Sequence, residues 1–260
     1  MAENTEMNIL HISGLTASYE EAEVLHDVTL EVEDGEILCI VGESGCGKST
    51  LIRAICADPV LRITGGSIRY REQDITHLKE RDRQRLLGTQ IGLIQQNPWG
   101  AFNPIRPIGV QFRETYKSHG RRFDADQIRA IFDVLGLKNA DSILQMRPCE
   151  LSGGMSQRVA IAAAFALEPA LLLCDEITSA LDVTTAAAVT EQLLTLKRTQ
   201  GTTIVMVTHH IGMARCLADR IAIMYRGRIV ECGSTAEILA SPQHDYTKQL
   251  LQDVPRLRVE

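Results

Sequence analysis

Three short stretches of this chain carry side chains able to do chemistry. The first is Gly42-Glu43-Ser44-Gly45-Cys46-Gly47-Lys48-Ser49, a Gly-x-x-x-x-Gly-Lys-Ser string. Its glycines can take backbone angles that a side chain forbids, so successive N–H groups can turn inward around an anion. A Lys at this position reaches the β- and γ-phosphates of a nucleotide, and the Ser hydroxyl can ligate Mg²⁺. Such a string arises by chance in about 1% of chains this long, so triphosphate binding is the reading adopted. The second stretch is Asp175-Glu176. Alone, two adjacent acids are a solvated loop; behind a phosphate loop, the first holds Mg²⁺ and the second activates water. The third is His209-His210, of which a histidine at a strand end is most often structural.

Each stretch needs an element to present it. Ile37-Leu38-Cys39-Ile40-Val41 reads as a buried strand feeding the loop, and Thr50-Leu51-Ile52-Arg53-Ala54-Ile55 as a helix that cannot run past Pro59. That helix offers the same anion its unpaired N–H groups and the positive end of its dipole. Ala170 to Cys174 is a continuous apolar run, hence a strand buried on both faces. Its carboxyl end is where open α/β sheets bind ligands. Thr203 to Thr208 is a further buried strand, which places His209 on the same sheet edge as Asp175.

The rest of the chain frames these parts. Val28, Leu30 and Val32 alternate with polar residues, as in a half-buried strand. Asp34-Gly35 reads as a hairpin turn leading into the strand before the loop, so an antiparallel β region comes first, with Tyr19 just ahead of it. Ile91 to Ile94 is a short strand. Beyond it the character turns helical: Ile128, Ile131, Phe132 and Leu135 share one helix face, with Asp124 and Gln127 at the start and Gly136 at the stop. Val183 to Arg198 is helical, and a β-hairpin around Arg226-Gly227 precedes two short helices. The expected fold is α/β: a mainly parallel sheet of the P-loop NTPase type, with an N-terminal antiparallel region and an inserted helical subdomain. Residues 1–96 and 156–260 form the nucleotide-binding core and 97–155 the helical subdomain.

With 260 residues, 45% of them hydrophobic, the chain can bury a sizeable core. Its net charge of −6 argues against a nucleic-acid partner. No apolar run approaches membrane-spanning length, and polar, acidic Met1 to Asn8 do not read as a signal peptide. The seven cysteines form no C-x-x-C pair and read as reduced residues of a cytosolic protein, several of them in the core.

Leu151-Ser152-Gly153-Gly154-Met155, followed by Gln157-Arg158, adds the decisive pattern. With Tyr19, the loop, Gln96, Asp175-Glu176, Ser179-Ala180-Leu181-Asp182 and His209 in this order, the chain resembles the ATP-binding cassette (ABC) subunits of membrane transporters over residues 9 to 252. The resemblance implies an ATPase using ATP and Mg²⁺. It makes Tyr19 the adenine-stacking aromatic and residues 42–50, from Gly42 to Thr50, the nucleotide cradle. Lys48, Gln96, Glu176 and His209 become the catalytic group, with Glu176 the general base and His209 on the γ-phosphate. Ser49, Gln96 and Asp175 become the Mg²⁺ set. Ser152, Gly153 and Gly154 would bind ATP held by an opposite cassette, and Asp182 would lie on the loop crossing between the two. The implied partners are a second cassette, identical or not, two transmembrane permeases and, indirectly, an extracytoplasmic solute-binding protein. The implied location is peripheral, on the cytoplasmic face of the inner membrane. Ile177 and His210 depart from the family pattern, which usually has Pro and Asp there.

Asn97-Pro98, Ala101-Phe102-Asn103-Pro104 and His244-Asp245-Tyr246-Thr247 resemble the peptide/nickel importer group. The Ala-Phe-Asn-Pro run, Arg113-Glu114-Thr115, and an end at Glu260 with no cysteine after Cys232 tilt the expectation to nickel or a metal chelate. A di- or oligopeptide cargo is the alternative. An exporter ATPase and a soluble cassette protein are the other readings; a single phosphate loop about 100 residues ahead of the signature disfavours the soluble one.

Overall fold

The computed structural model describes residues 8–177 and 183–252. In chain order the strands and helices are β1 (Asn8–Tyr19), β2 (Ala22–Glu33), β3 (Ile37–Val41), α1 (Lys48–Ile55), β4 (Arg62–Tyr70), β5 (Gln73–Asp74), α2 (Glu80–Leu86), β6 (Ile91–Ile94), α3 (Ile108–Ser118), α4 (Ala125–Val134), α5 (Ala140–Gln145), α6 (Gly153–Phe165), β7 (Leu171–Asp175), α7 (Val183–Gln200), β8 (Thr203–Thr208), α8 (Ile211–Leu217), β9 (Arg220–Tyr225), β10 (Arg228–Ser234), α9 (Thr235–Ala240) and α10 (Asp245–Gln252). Short 3₁₀ turns fall at Pro98–Ala101 and Pro148–Glu150. Two compact units emerge: Met1–Arg83 with Thr203–Glu260, and Gln84–Thr202.

The first unit holds two sheets. One is antiparallel, in the order β2-β1-β4-β5. The other has β3 at its centre, parallel to β8 on one side and β9 on the other, with β10 antiparallel beyond β9. All residues of β3 and β8 are buried, as continuous apolar strands require. Asp34-Gly35 does form a turn, but not a hairpin. β2 pairs with β1, whereas β3 pairs with β8 and β9, so the turn passes the chain between sheets. Asp-Gly chemistry specifies a change of direction only; β2 alternates and β3 does not, and that difference in burial sends them to different sheets. Thr203 pins the crossing: its hydroxyl accepts from the Gly35 N–H at 2.8 Å and donates to Asp34 at 3.0 Å.

The second unit pairs β6 with β7 in parallel, Ile94 opposite Cys174, and contains the helical stretch. Asp124 caps α4 by accepting from the N–H groups of Asp126 and Gln127. Gly136, at φ 65°, ends the turn after it, with Leu137 N–H bonded back to the Phe132 carbonyl. Phe132 is fully buried and meets Phe112 edge-on, ring centres 6.0 Å apart, a geometry worth about 0.5–1.5 kcal/mol beyond area burial. Among the described residues no helix is long and apolar enough to cross a membrane.

Candidate nucleotide-binding and catalytic residues

In the first unit β3 delivers the chain to the loop, which is shaped by close approach. A Cβ on Gly42 would lie 2.2 Å from the Met224 carbonyl oxygen, so no side chain fits there. Gly47, at φ 109°, is the N-cap of α1 and would meet the Met224 side chain at 2.9 Å. Gly45 is at φ 80° with open space around it. Lys48 is buried, and its ammonium donates to the carbonyls of Gly42 at 2.9 Å and Glu43 at 2.7 Å. Beside it, burial pushes the Cys46 thiol up, an effect only partly offset by the Lys48 charge. Residues 43–45 of the loop are exposed, while Ser49 and Thr50 are half-buried in the first turn of α1. The first N–H groups of a helix lack partners within it, and with glycines free to expose loop N–H groups this is a cradle for an anion. Its donors are of the kind that phosphate oxygens accept from.

His209 directly follows β8, and Thr208 stands opposite Val41, so His209 leaves the sheet level with Gly42. Its ring lies 3.9 Å from that of His210. Tyr19 ends β1, and its hydroxyl accepts from Arg53 of α1 at 3.4 Å, which places it beside the helix that follows the loop.

In the second unit Asp175 ends β7, and Glu176 follows at φ 47°, the left-handed region. A side-chain-bearing residue there costs about 1–2 kcal/mol, and such strain clusters at functional sites. Gln96, just past β6, donates from Nε2 to Oε2 of Glu176 at 3.2 Å. Two residues expected to share the attacking water are thus in contact. Ser152 caps α6 through the Met155 N–H, with Gly153 and Gly154 in the first turn. Nothing lies within 4 Å of where their Cβ atoms would stand, so internal packing does not demand glycine at either position. Asp182 lies outside the described residues, as do Ser179, Ala180 and Leu181.

Two residues with a bearing on this chemistry had no role assigned from sequence. Gln157 of α6 is buried and donates to the Ile177 carbonyl at 2.9 Å, holding the segment just after Glu176. Tyr246 of α10 reaches the phosphate loop itself. Only its place in a short C-terminal pattern singled Tyr246 out. The cysteines divide: Cys39, Cys46, Cys56 and Cys174 are buried, and Cys149, Cys216 and Cys232 exposed. Burial chiefly raises the Cys39 thiol to about 12. Among the described residues no cluster of His, Cys, Asp and Glu could hold a metal ion by itself.

A family model described as ABC transporter matches residues 25–179. The chain belongs to the ABC transporter family. It is an ATPase of that family, and it binds adenine nucleotide. The oligopeptide transport ATP-binding protein AmiE of Streptococcus pneumoniae is 38% identical over 90% of this chain and 67% of its own length. The dipeptide transport ATP-binding protein DppD of Haemophilus influenzae is 36% identical over 88% of this chain and 71% of its own. Among solved structures, the ATP-binding cassette MJ0796, dimeric in a post-hydrolysis state with ADP and Pi, superposes with a TM-score of 0.76 at 26% identity, covering 87% of this chain and 98% of that one.

Proposed function

We propose that this ATPase powers an importer of di- or oligopeptides. The observation that carries the cargo is the pair of peptide-transport relatives at 36–38% identity. They favour the peptide reading over nickel, which rested on Ala101-Phe102-Asn103-Pro104 and the C-terminal region. In this reading residues 42–50 bind the phosphates and Tyr19 the adenine. Lys48 compensates phosphate charge, and His209 donates to the γ-phosphate. Glu176 takes the proton of the attacking water, which Gln96 helps to orient. Ser49, Asp175 and Gln96 supply oxygen donors of the kind Mg²⁺ prefers. Bound there, Mg²⁺ would neutralise charge on the phosphates.

Ser152, Gly153 and Gly154 act on the nucleotide of a second cassette, and the family resemblance assigns Asp182 to the loop that crosses between the two. The unobstructed faces of Gly153 and Gly154 leave room for such an approach. The helical stretch 97–155 docks on the permeases, so the chain works at the inner face of a membrane without entering it. A solute-binding protein on the other side selects cargo.

The test is the complete transporter in vesicles, with ATPase activity measured as binding protein is added loaded with short peptide, nickel or nickel–chelator. Stimulation by peptide is expected. Stimulation by nickel or its chelate alone would return the cargo to metal and leave the ATPase roles standing.

A further inference from the structure

We propose that Tyr246 is a positioning residue for the phosphate loop, orienting the 42–43 peptide so that Lys48 stays anchored and nucleotide affinity stays high. Tyr246 is 7% exposed, and its hydroxyl accepts from the Glu43 N–H at 3.0 Å. The carbonyl of that same peptide unit belongs to Gly42 and accepts from the Lys48 ammonium at 2.9 Å. The N–H and C=O of a trans peptide point to opposite sides of its plane. Tyr246 therefore grips one side of the peptide and Lys48 the other. Any rotation that releases the Tyr246 bond also turns the Gly42 carbonyl away from Lys48.

The grip is itself braced. The Tyr246 ring stacks on Tyr225 with centres 4.3 Å apart and planes 29° apart. Tyr225 ends β9, whose Ile223 pairs with Val41, the residue before the loop. From the same β9–β10 hairpin, Gly227 donates its N–H to the Cys46 carbonyl at 2.9 Å. At the start of α10, Tyr246 N–H donates to Nδ1 of His244 at 3.1 Å. The N–H groups of Gln243 and His244 donate to the Glu231 carboxylate at 2.8 and 3.1 Å. The loop is thus held from outside by a hairpin and a helix more than 170 residues downstream, and burial pushes the Tyr246 phenol up.

A preorganised loop binds more tightly because less ordering is left to binding. Tyr246→Phe removes the acceptor and keeps the ring on Tyr225. Loss of one such bond should weaken fluorescent-ATP binding about fivefold. Turnover at saturating ATP in the assembled transporter should change less than twofold, and the Glu43 amide should exchange with solvent faster. Unchanged affinity in a variant with parental melting temperature overturns the proposal. Should Tyr246→Phe fail to fold, the parent alone decides: a protected Glu43 amide upholds the bond, and a rapidly exchanging one overturns it. The inference rests on the loop's nucleotide-binding role. Failure of the parent to bind ATP would instead overturn that role.

Discussion

At the end of β3 the chain turns through Gly42, Gly45 and Gly47, two of them at positive φ, whereas at the end of β7 it turns through Glu176 at φ 47° with a full side chain. The phosphate loop meets its geometric demands with residue types that accept them. Its main polar anchor, Lys48, bonds carbonyls only five and six residues away. The acid-bearing turn accepts strain instead, and bonds from distant segments brace it: Gln96, 80 residues before Glu176, and Gln157, 20 residues before Ile177. Most of a binding cradle can be written into consecutive residues because it uses backbone N–H groups, while Tyr246 and Gly227 steady it from outside. A proposed general base must aim one carboxylate, and aiming takes supports from elsewhere in the fold.

Breaking the strained side should give the largest effect. Glu176→Gln should retain ATP binding and lose turnover by about 10²–10⁴-fold, read by single-turnover hydrolysis in the assembled complex. Near-normal hydrolysis would remove Glu176 from the role of base.

Breaking the cradle should act earlier in the cycle. Lys48→Ala removes a charged donor from the loop and should weaken nucleotide binding about 10–100-fold. A fluorescent-ATP titration reads this directly, and unchanged affinity would mean the loop is not the cradle described.

Gln157→Leu separates support from chemistry. It leaves the buried Ile177 carbonyl without its donor and should cost about 1–2 kcal/mol of stability. Turnover should fall while ATP affinity holds. Loss of affinity equal to the loss of turnover would show that the brace serves the whole fold and not the Glu176 turn.

The smallest effect should come from a device confined to near neighbours. Ser234 and Glu237 form a capping box on α9, and Ser234→Ala should cost about 1 kcal/mol. The Ser234 hydroxyl, with the Ser234 N–H, holds the Glu237 carboxyl below its usual range. A lowered folded-state value means that this contribution is fully present above the ordinary carboxylate value and is lost as pH falls from there through the lowered folded-state value. Thermal melts of the variant should therefore depend less on pH on the acid side than those of the parent.

The limits of sequence reading follow the same division. Gly42 to Ser49, the α4 cap at Asp124 with its stop at Gly136, and the Arg226-Gly227 hairpin were legible because each is a run of neighbours with its own conformational chemistry. The buried strands β3, β7 and β8 were legible because unbroken apolar runs have few other places to go. Asp34-Gly35 misled because a turn dipeptide does not say which strand the chain will meet next. The cargo was not legible: the tilt to nickel rested on a few residues, whereas the similar proteins are named for peptide transport.

By itself, then, the sequence determined the strand-loop-helix core, which depends on local backbone freedom and burial, and its resemblance to the ABC family supplied the ATPase reading and the candidate site residues. Only the tertiary structure decided that Gln96 touches Glu176, that Gln157 holds the turn behind it, and that Tyr246, 203 residues from Glu43, grips the phosphate loop. Those are single hydrogen bonds between remote segments, and their partners are selected by how elements pack, which no local pattern encodes.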